Sequence, residues 1–152
     1  MNFRYKSSQI AEIVKAAKVV REGQSLAFRS HGEKSKALDV DLNLKEGTLV
    51  DLRLRVTAGR FDEPMTYEAA LILADQRVRG IGYSATRLMR FYKERIPKGW
   101  HENVIDPNLP TRDDDRNRHE SVTDIEPTDL EDFLRKVCKR WNIELPSEKV
   151  LL

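Results

Sequence analysis

The chain has 152 residues, 39% hydrophobic and 34% charged, with a net charge of +2, which describes one domain (residues 1–152) with its own core and a heavily ionised surface. A single cysteine, Cys138, excludes an internal disulfide and every multi-cysteine zinc site. No apolar run approaches the roughly 18 residues that a membrane-spanning helix needs, and Met1-Asn2-Phe3-Arg4-Tyr5-Lys6 lacks the apolar stretch of a signal peptide, so the expectation is a cytoplasmic protein with no membrane association.

The first predicted element is a helix. Ser7 or Ser8 caps it, Ile10, Ile13, Val14, Ala17 and Val20 recur at helical spacing, and Gly23 ends it. Strand chemistry follows. Leu26 and Phe28 alternate with polar neighbours, and Ser30-His31-Gly32-Glu33 reads as a turn. Leu38, Val40, Leu42 and Leu44 alternate with Asp39, Asp41 and Asn43, and after the Glu46-Gly47 turn Val50, Leu52, Leu54 and Val56 alternate with Asp51, Arg53, Arg55 and Thr57. That is the pattern of a sheet with one wet face, and pairing the two strands sets acids across from arginines. Met65–Leu73 suits a central strand, and Asp75-Gln76 turns it into Arg77-Val78-Arg79-Gly80-Ile81-Gly82-Tyr83. Residues 85–96 fit either a helical face or a strand; Phe91-Tyr92 and Pro97-Lys98-Gly99 favour a strand entering a hairpin with Trp100–Ile105. That partner places His101 and Asn103 on one face and Glu102 and Val104 on the other. Asp106–Glu126 reads as a long polar loop. Thr128-Asp129-Leu130-Glu131 then forms a capping box ahead of the stripe Leu130, Phe133, Leu134, Val137, Cys138 and Trp141, a C-terminal helix. The expected architecture is α+β: an antiparallel sheet of about six strands with an N-terminal and a C-terminal helix.

Candidate chemistry gathers between Gly99 and Glu120. His101 and His119 are each followed by a glutamate, and imidazole is the side chain that both takes and gives protons near neutral pH. Two imidazoles, one neutral and one protonated, cleave RNA without metal: the base activates the 2′-hydroxyl and the acid protonates the departing 5′-oxygen. Which would be which is not assignable from sequence. A glutamate adjacent on a strand points away from its own histidine, so a cross-pair such as Glu120 with His101 is the easier one. Arg118 offers charge to a phosphate. His101, Asp106, His119, Glu120 and the run Asp113-Asp114-Asp115 are also hard ligands for a divalent ion, but their spacing matches no metal motif, so neither metal nor cofactor is expected. From Arg77 to Lys98 seven basic residues meet one acid, Glu94, whereas Trp100–Glu126 holds eight acids against three arginines. Such a strip either attracts a polyanion or is satisfied by its acidic neighbour. Arg77, Arg79, Arg87, Arg90 and Lys93, interleaved with Tyr83, Phe91, Tyr92 and Trp100, are the candidate nucleic-acid contacts. Cys138 lies on the apolar helix stripe, where a thiolate is disfavoured, and Gly80-x-Gly82 is too short for a phosphate loop.

Arg77-Val78-Arg79-Gly80-Ile81-Gly82-Tyr83, Pro97-Lys98-Gly99-Trp100-His101-Glu102-Asn103 and Arg118-His119 together resemble the core of the small TumE-like toxins of bacteria and archaea. The resemblance covers residues 76–120 and departs from the family in having only His101 and His119 where a denser histidine cluster is expected. It implies an α+β toxin acting on RNA and held by a cognate antitoxin. The function expected is thus an RNA-directed, metal-independent nuclease using His101 and His119, with Glu120 and Arg118 in support. The alternatives are a nucleic-acid-binding protein that does not cut, and a protein-interaction module, an adaptor or antidefence protein, that binds another protein partner.

Overall fold

The computed structural model describes residues 5–30, 32–47, 49–85, 88–89, 95–96, 98–105, 117–147, 150 and 152. The His31 turn residue, the Asp106–Asp115 acids, and Arg87, Arg90 and Lys93 of the expected basic strip lie outside these residues.

Among the described residues two α-helices, α1 (Ser7–Lys15) and α2 (Leu130–Arg140), accompany one large sheet. Its strands are β1 (Lys18–Val20), β2 (Arg29–Ser30), β3 (Lys36–Leu44), β4 (Leu52–Ala58), β5 (Tyr67–Leu73), β6 (Gln76–Ser84), β9 (Gly99–Ile105), β10 (Asn117–Ser121) and β11 (Ile143–Glu144). They run in the order β10-β9-β6-β5-β4-β3-β1-β11, with β2 also on β3, and every pair is antiparallel except β1 with β11. β7 (Leu88–Met89) and β8 (Arg95–Ile96) form a separate two-stranded ribbon. The class is α+β as expected, but among the described residues the sheet has nine strands rather than about six. The additions are short or polar segments whose pairing comes from neighbours rather than from their own alternation.

The meander from β3 to β6 follows the hydrophobic pattern. Leu38, Val40 and Leu42, then Leu52, Leu54 and Val56, then Tyr67, Ala69, Leu71 and Leu73, are all buried on one face. Each full burial contributes about 1.5–3 kcal/mol for the larger aliphatic and aromatic side chains. On the opposite face Asp39 pairs across from Arg55 and Asp41 from Arg53, the expected acid–arginine ladder. A tight turn at Ala74-Asp75, both at positive φ (49° and 62°), joins β5 to β6. A register shift between Leu71 and Ile72 lets both Val78 and Arg79 turn away from the wet face.

α2 closes the buried face. Leu130, Phe133, Leu134, Val137, Cys138 and Trp141 are all buried, and the Phe133 ring lies 5.6 Å from Tyr67 and 5.5 Å from Trp100. Its cap differs from the expected box by one position. Asp129 accepts from the Asp132 N–H at 2.8 Å, and Asp132 Oδ2 accepts from the Thr128 N–H at 2.9 Å. The reciprocal partner is therefore Asp132, and Glu131 instead pairs with Arg135 on the outer surface.

Three further expectations are corrected. α1 stops at Lys15 instead of running to Gly23, and Lys6, whose N–H donates to Gln9 Oε1 at 2.8 Å, stands before it. Val19 and Val20 are β-branched and lose rotamer freedom in a helix; here they pair with Asn43 and Leu42. Residues 88–89 and 95–96 pair with each other, so β9 takes β6 and β10 as neighbours instead. Finally, the expected loop beyond Asp106 contains β10, an edge strand of polar residues.

Lys18 explains why the helix ends where it does. The residue is wholly buried, and its Nζ donates to the carbonyls of Val14 (2.6 Å), Ala16 (2.7 Å) and Trp141 (2.6 Å). One ammonium thus serves carbonyls at the C-terminal ends of both helices, which have no partners within their own helices. Burial pulls its pKa from 10.5 to about 8. Lys18→Met leaves buried acceptors without donors and should lower unfolding free energy by about 1–3 kcal/mol at pH 7. Between pH 8 and 10.5 the unfolded chain keeps the proton that folded Lys18 releases, so wild-type stability rises with pH through this window. Urea denaturation of the two proteins should show the deficit of Lys18→Met widening from pH 8 to 10.

Candidate functional site

Strand pairing decides which side chains meet. Ala69, Ile81, Glu102 and Glu120 are successive cross-strand partners, and Ala69 and Ile81 are buried, so this row looks toward the helices. The alternate positions look the other way. There Gly80, Asn103 and His119 form one row and Gly82 and His101 belong to the next. The sequence expectation that His101 and Asn103 share a face, opposite Glu102 and Val104, matches this arrangement.

On the wet face these strands enclose a cleft of about 610 Å³ lined by Arg55, Glu68, Arg77, His101, Asn103 and His119 around a floor that includes Ala70, Gly80 and Gly82. The floor is low because those positions carry a methyl group or nothing. A Cβ on Gly80 would stand 3.4 Å from Asn103 Nδ2 and 3.7 Å from Arg77 Cδ, and one on Gly82 would stand 3.8 Å from Glu68 Cγ. The Gly80-x-Gly82 pair is thus a gap in a strand.

His101 and His119 converge, their ring centroids 5.9 Å apart in an edge-on arrangement. His101 is only 6% exposed. Its Nδ1 lies 3.3 Å from the Gly99 carbonyl, an acceptor, so Nδ1 carries the hydrogen and the neutral ring keeps its lone pair on Nε2. Gly99 holds that carbonyl in place at φ 95°, a conformation that favours glycine. Burial holds the His101 pKa below the usual histidine value, against the opposing pull of the Gly99 carbonyl and the Glu68 carboxylate. His119 Nδ1 lies 2.6 Å from Asn103 Oδ1, and it donates there because an amide oxygen only accepts.

Of the other expected site residues, Arg77 and Tyr83 also line the cleft, and the rest of those described lie elsewhere. Arg118 and Glu120 flank His119 on a strand and so face away from it, and Glu120 lines a separate hollow with Arg79, Glu102, Asp124 and Arg140. The proposed cross-pair of Glu120 with His101 is therefore not formed, since Glu120 stands opposite Glu102. Of the basic residues, Arg77 lines the cleft and Arg79 turns to the helix side. Tyr83 and Trp100 are cross-strand partners whose rings meet at 5.5 Å, and Trp100 is further engaged by Phe133, so its ring is packing against α2. Glu68, Asn103 and Arg55 were not among the expected site residues. The signal for them was the glycine pair, which opens a passage from β5 across β6 to β9.

Among the described residues no group of three or more His, Cys, Asp or Glu side chains is placed to hold a metal ion, and no helix is long and apolar enough to cross a membrane. Cys138 is buried and its thiol is pushed up to about 12 by burial, so it stays protonated. The chain matches no protein-family model, no curated protein and no solved structure.

Glu68 stabilises the charged form of His101 across the glycine gap, so Glu68→Gln should move the His101 midpoint still lower. An NMR titration of the imidazole Cε1–H resonances reads this directly. An unchanged midpoint would place the carboxylate too far away to matter.

Proposed function

We propose that the wet-face cleft cleaves RNA by metal-independent acid–base chemistry. The observation that supports this reading best is the convergence of two imidazoles beside two arginines in one open cleft. In this reading His101 is the base, because burial keeps it neutral and its lone pair is on Nε2. It removes the 2′-hydroxyl proton, the 2′-oxygen bonds to phosphorus, and the P–O5′ bond breaks. His119, held by Asn103, delivers a proton to O5′. The products are a 2′,3′-cyclic phosphate and a 5′-hydroxyl end. Arg77 and Arg55 offset the charge that grows on the non-bridging oxygens, the role first expected of Arg118. Glu68 steadies the His101 imidazolium after proton uptake. The toxin setting implied by the resemblance at residues 76–120 belongs to the same proposal, with an antitoxin as the partner that holds the enzyme inactive.

The test is cleavage of a labelled RNA oligonucleotide in excess EDTA. His101→Ala and His119→Ala should each slow cleavage by about 10²–10⁴-fold, and a single 2′-deoxy nucleotide at the cut site should block it. Bound but uncut RNA would identify a binding protein instead. Cleavage that survives both substitutions would remove the histidines from the mechanism.

Gly82→Val supplies a complementary measurement. The β-branched side chain suits a strand and fills the floor between Glu68 and His101. The variant should keep a cooperative thermal transition and lose cleavage.

A further inference from the structure

The histidine cleft is one end of a longer polar track. A second hollow of about 590 Å³ lies on the same wet face, lined by Arg29, Asp39, Asp41 and Arg53 with Gln24 and Ala37. Register places it there: Arg29 is the partner of Ala37, and Ala37 and Asp39 alternate with buried Leu38. β4 joins the two hollows, since Arg55 lines the first and Arg53 the second. From β10 through β9, β6, β5, β4 and β3 to β2, the track crosses about 29 Å at the usual strand spacing.

Arginines outnumber acids along it: Arg29, Arg53, Arg55 and Arg77 against Glu68, Asp39 and Asp41. Asp41 is engaged by Arg21 at 3.5 Å and by the Gln24 amide at 2.7 Å. Asp39 stands alone between two guanidinium groups, 4.0 Å from Arg53 and 3.8 Å from Arg55. Arg53 Nε is buried with no hydrogen-bond partner among the described residues. Arg29 and Arg77 make no ion pair among the described residues, and both line the track. Donors spaced along an extended groove suit an extended polyanion, and no aromatic ring lines the second hollow to select a base.

We propose that this track binds an extended single strand of RNA through its phosphates, drawing it across β4 toward the histidines. The proposal rests on the nuclease reading of the cleft, and it narrows the substrate class. A duplex holds its 2′-hydroxyls out of line with the adjacent phosphate, whereas in-line attack needs a strand that can bend. Binding should therefore grow with strand length, ignore sequence and weaken with salt.

The test reads binding alone, so it separates from the fate of the nuclease reading. Fluorescence anisotropy with a 2′-O-methyl RNA of ten nucleotides, which cannot be cleaved, is compared with the dinucleotide. The ten-mer should bind at least tenfold more tightly than the dinucleotide. Arg29→Gln combined with Arg53→Gln should weaken the ten-mer and reduce the slope of log affinity against log salt by about 1.4, at about 0.7 for each phosphate that is no longer neutralised. Arg29→Gln alone, at an exposed position, should give about half that change. Equal affinity for the two lengths, an unchanged salt slope, or equal competition by polyglutamate would overturn the track. Length-dependent binding by a protein that cuts nothing would keep the track and discard the nuclease.

Discussion

The arrangement depends on a buried carboxylate. Glu102 is only 6% exposed, and it accepts from the Trp141 indole N–H at 2.6 Å and from Arg140 at 3.0 and 3.3 Å. Arg140 in turn holds Asp124 at 2.9 Å. A desolvated carboxylate is tolerated only where such donors surround it, and removing one partner of a buried pair costs about 3–5 kcal/mol. These bonds tie β9 to the end of α2 and fix which face of the strand looks inward. Because side chains alternate along a strand, a slip of one residue would bring His101 under the helix and expose Glu102. The orientation of the candidate base is therefore set by its neighbour's bonds on the far side of the sheet.

The two faces of the sheet divide the work. The helix face holds the apolar core, Lys18 with its three carbonyls, and the Glu102 anchor, so the groups that are costly to bury are all paired there. The wet face carries charged and amide side chains on a floor of Ala70, Gly80 and Gly82. A cleft made by omitting side chains from a paired strand needs no loop to shape it. The strands hold its walls in register, and that pairing sets the two imidazoles 5.9 Å apart.

Much of this was legible in the residues, and the failures have identifiable causes. The β3–β4 alternation predicted both the core row and the Asp39–Arg55 and Asp41–Arg53 pairs, because a two-residue period is a local signal. The α2 stripe was legible for the same reason. The end of α1 was not, since Lys18 finds one of its partners at Trp141, 123 residues away. β10 was hidden because an edge strand of polar residues has no apolar alternation to reveal it. Once it is recognised as a strand, parity alone removes Arg118 and Glu120 from the histidine face. Of the two expected base-stacking rings, Tyr83 lines the cleft, whereas Trp100 packs against Phe133, since half of a strand's aromatics face the core side. The basic residues that line the cleft come from β4 and β6, and only Arg77 belonged to the expected strip.

The central claim is that His101 and His119 occupy one site and sense each other's charge. A protonated His119, its ring centroid 5.9 Å away, repels the imidazolium form of His101 and so lowers the His101 midpoint. NMR titrations of wild type and His119→Gln measure this coupling without any assumption about substrate. The account predicts that His101 titrates at a higher pH in His119→Gln than in wild type. An identical His101 midpoint in the two proteins would separate the two rings and contradict it.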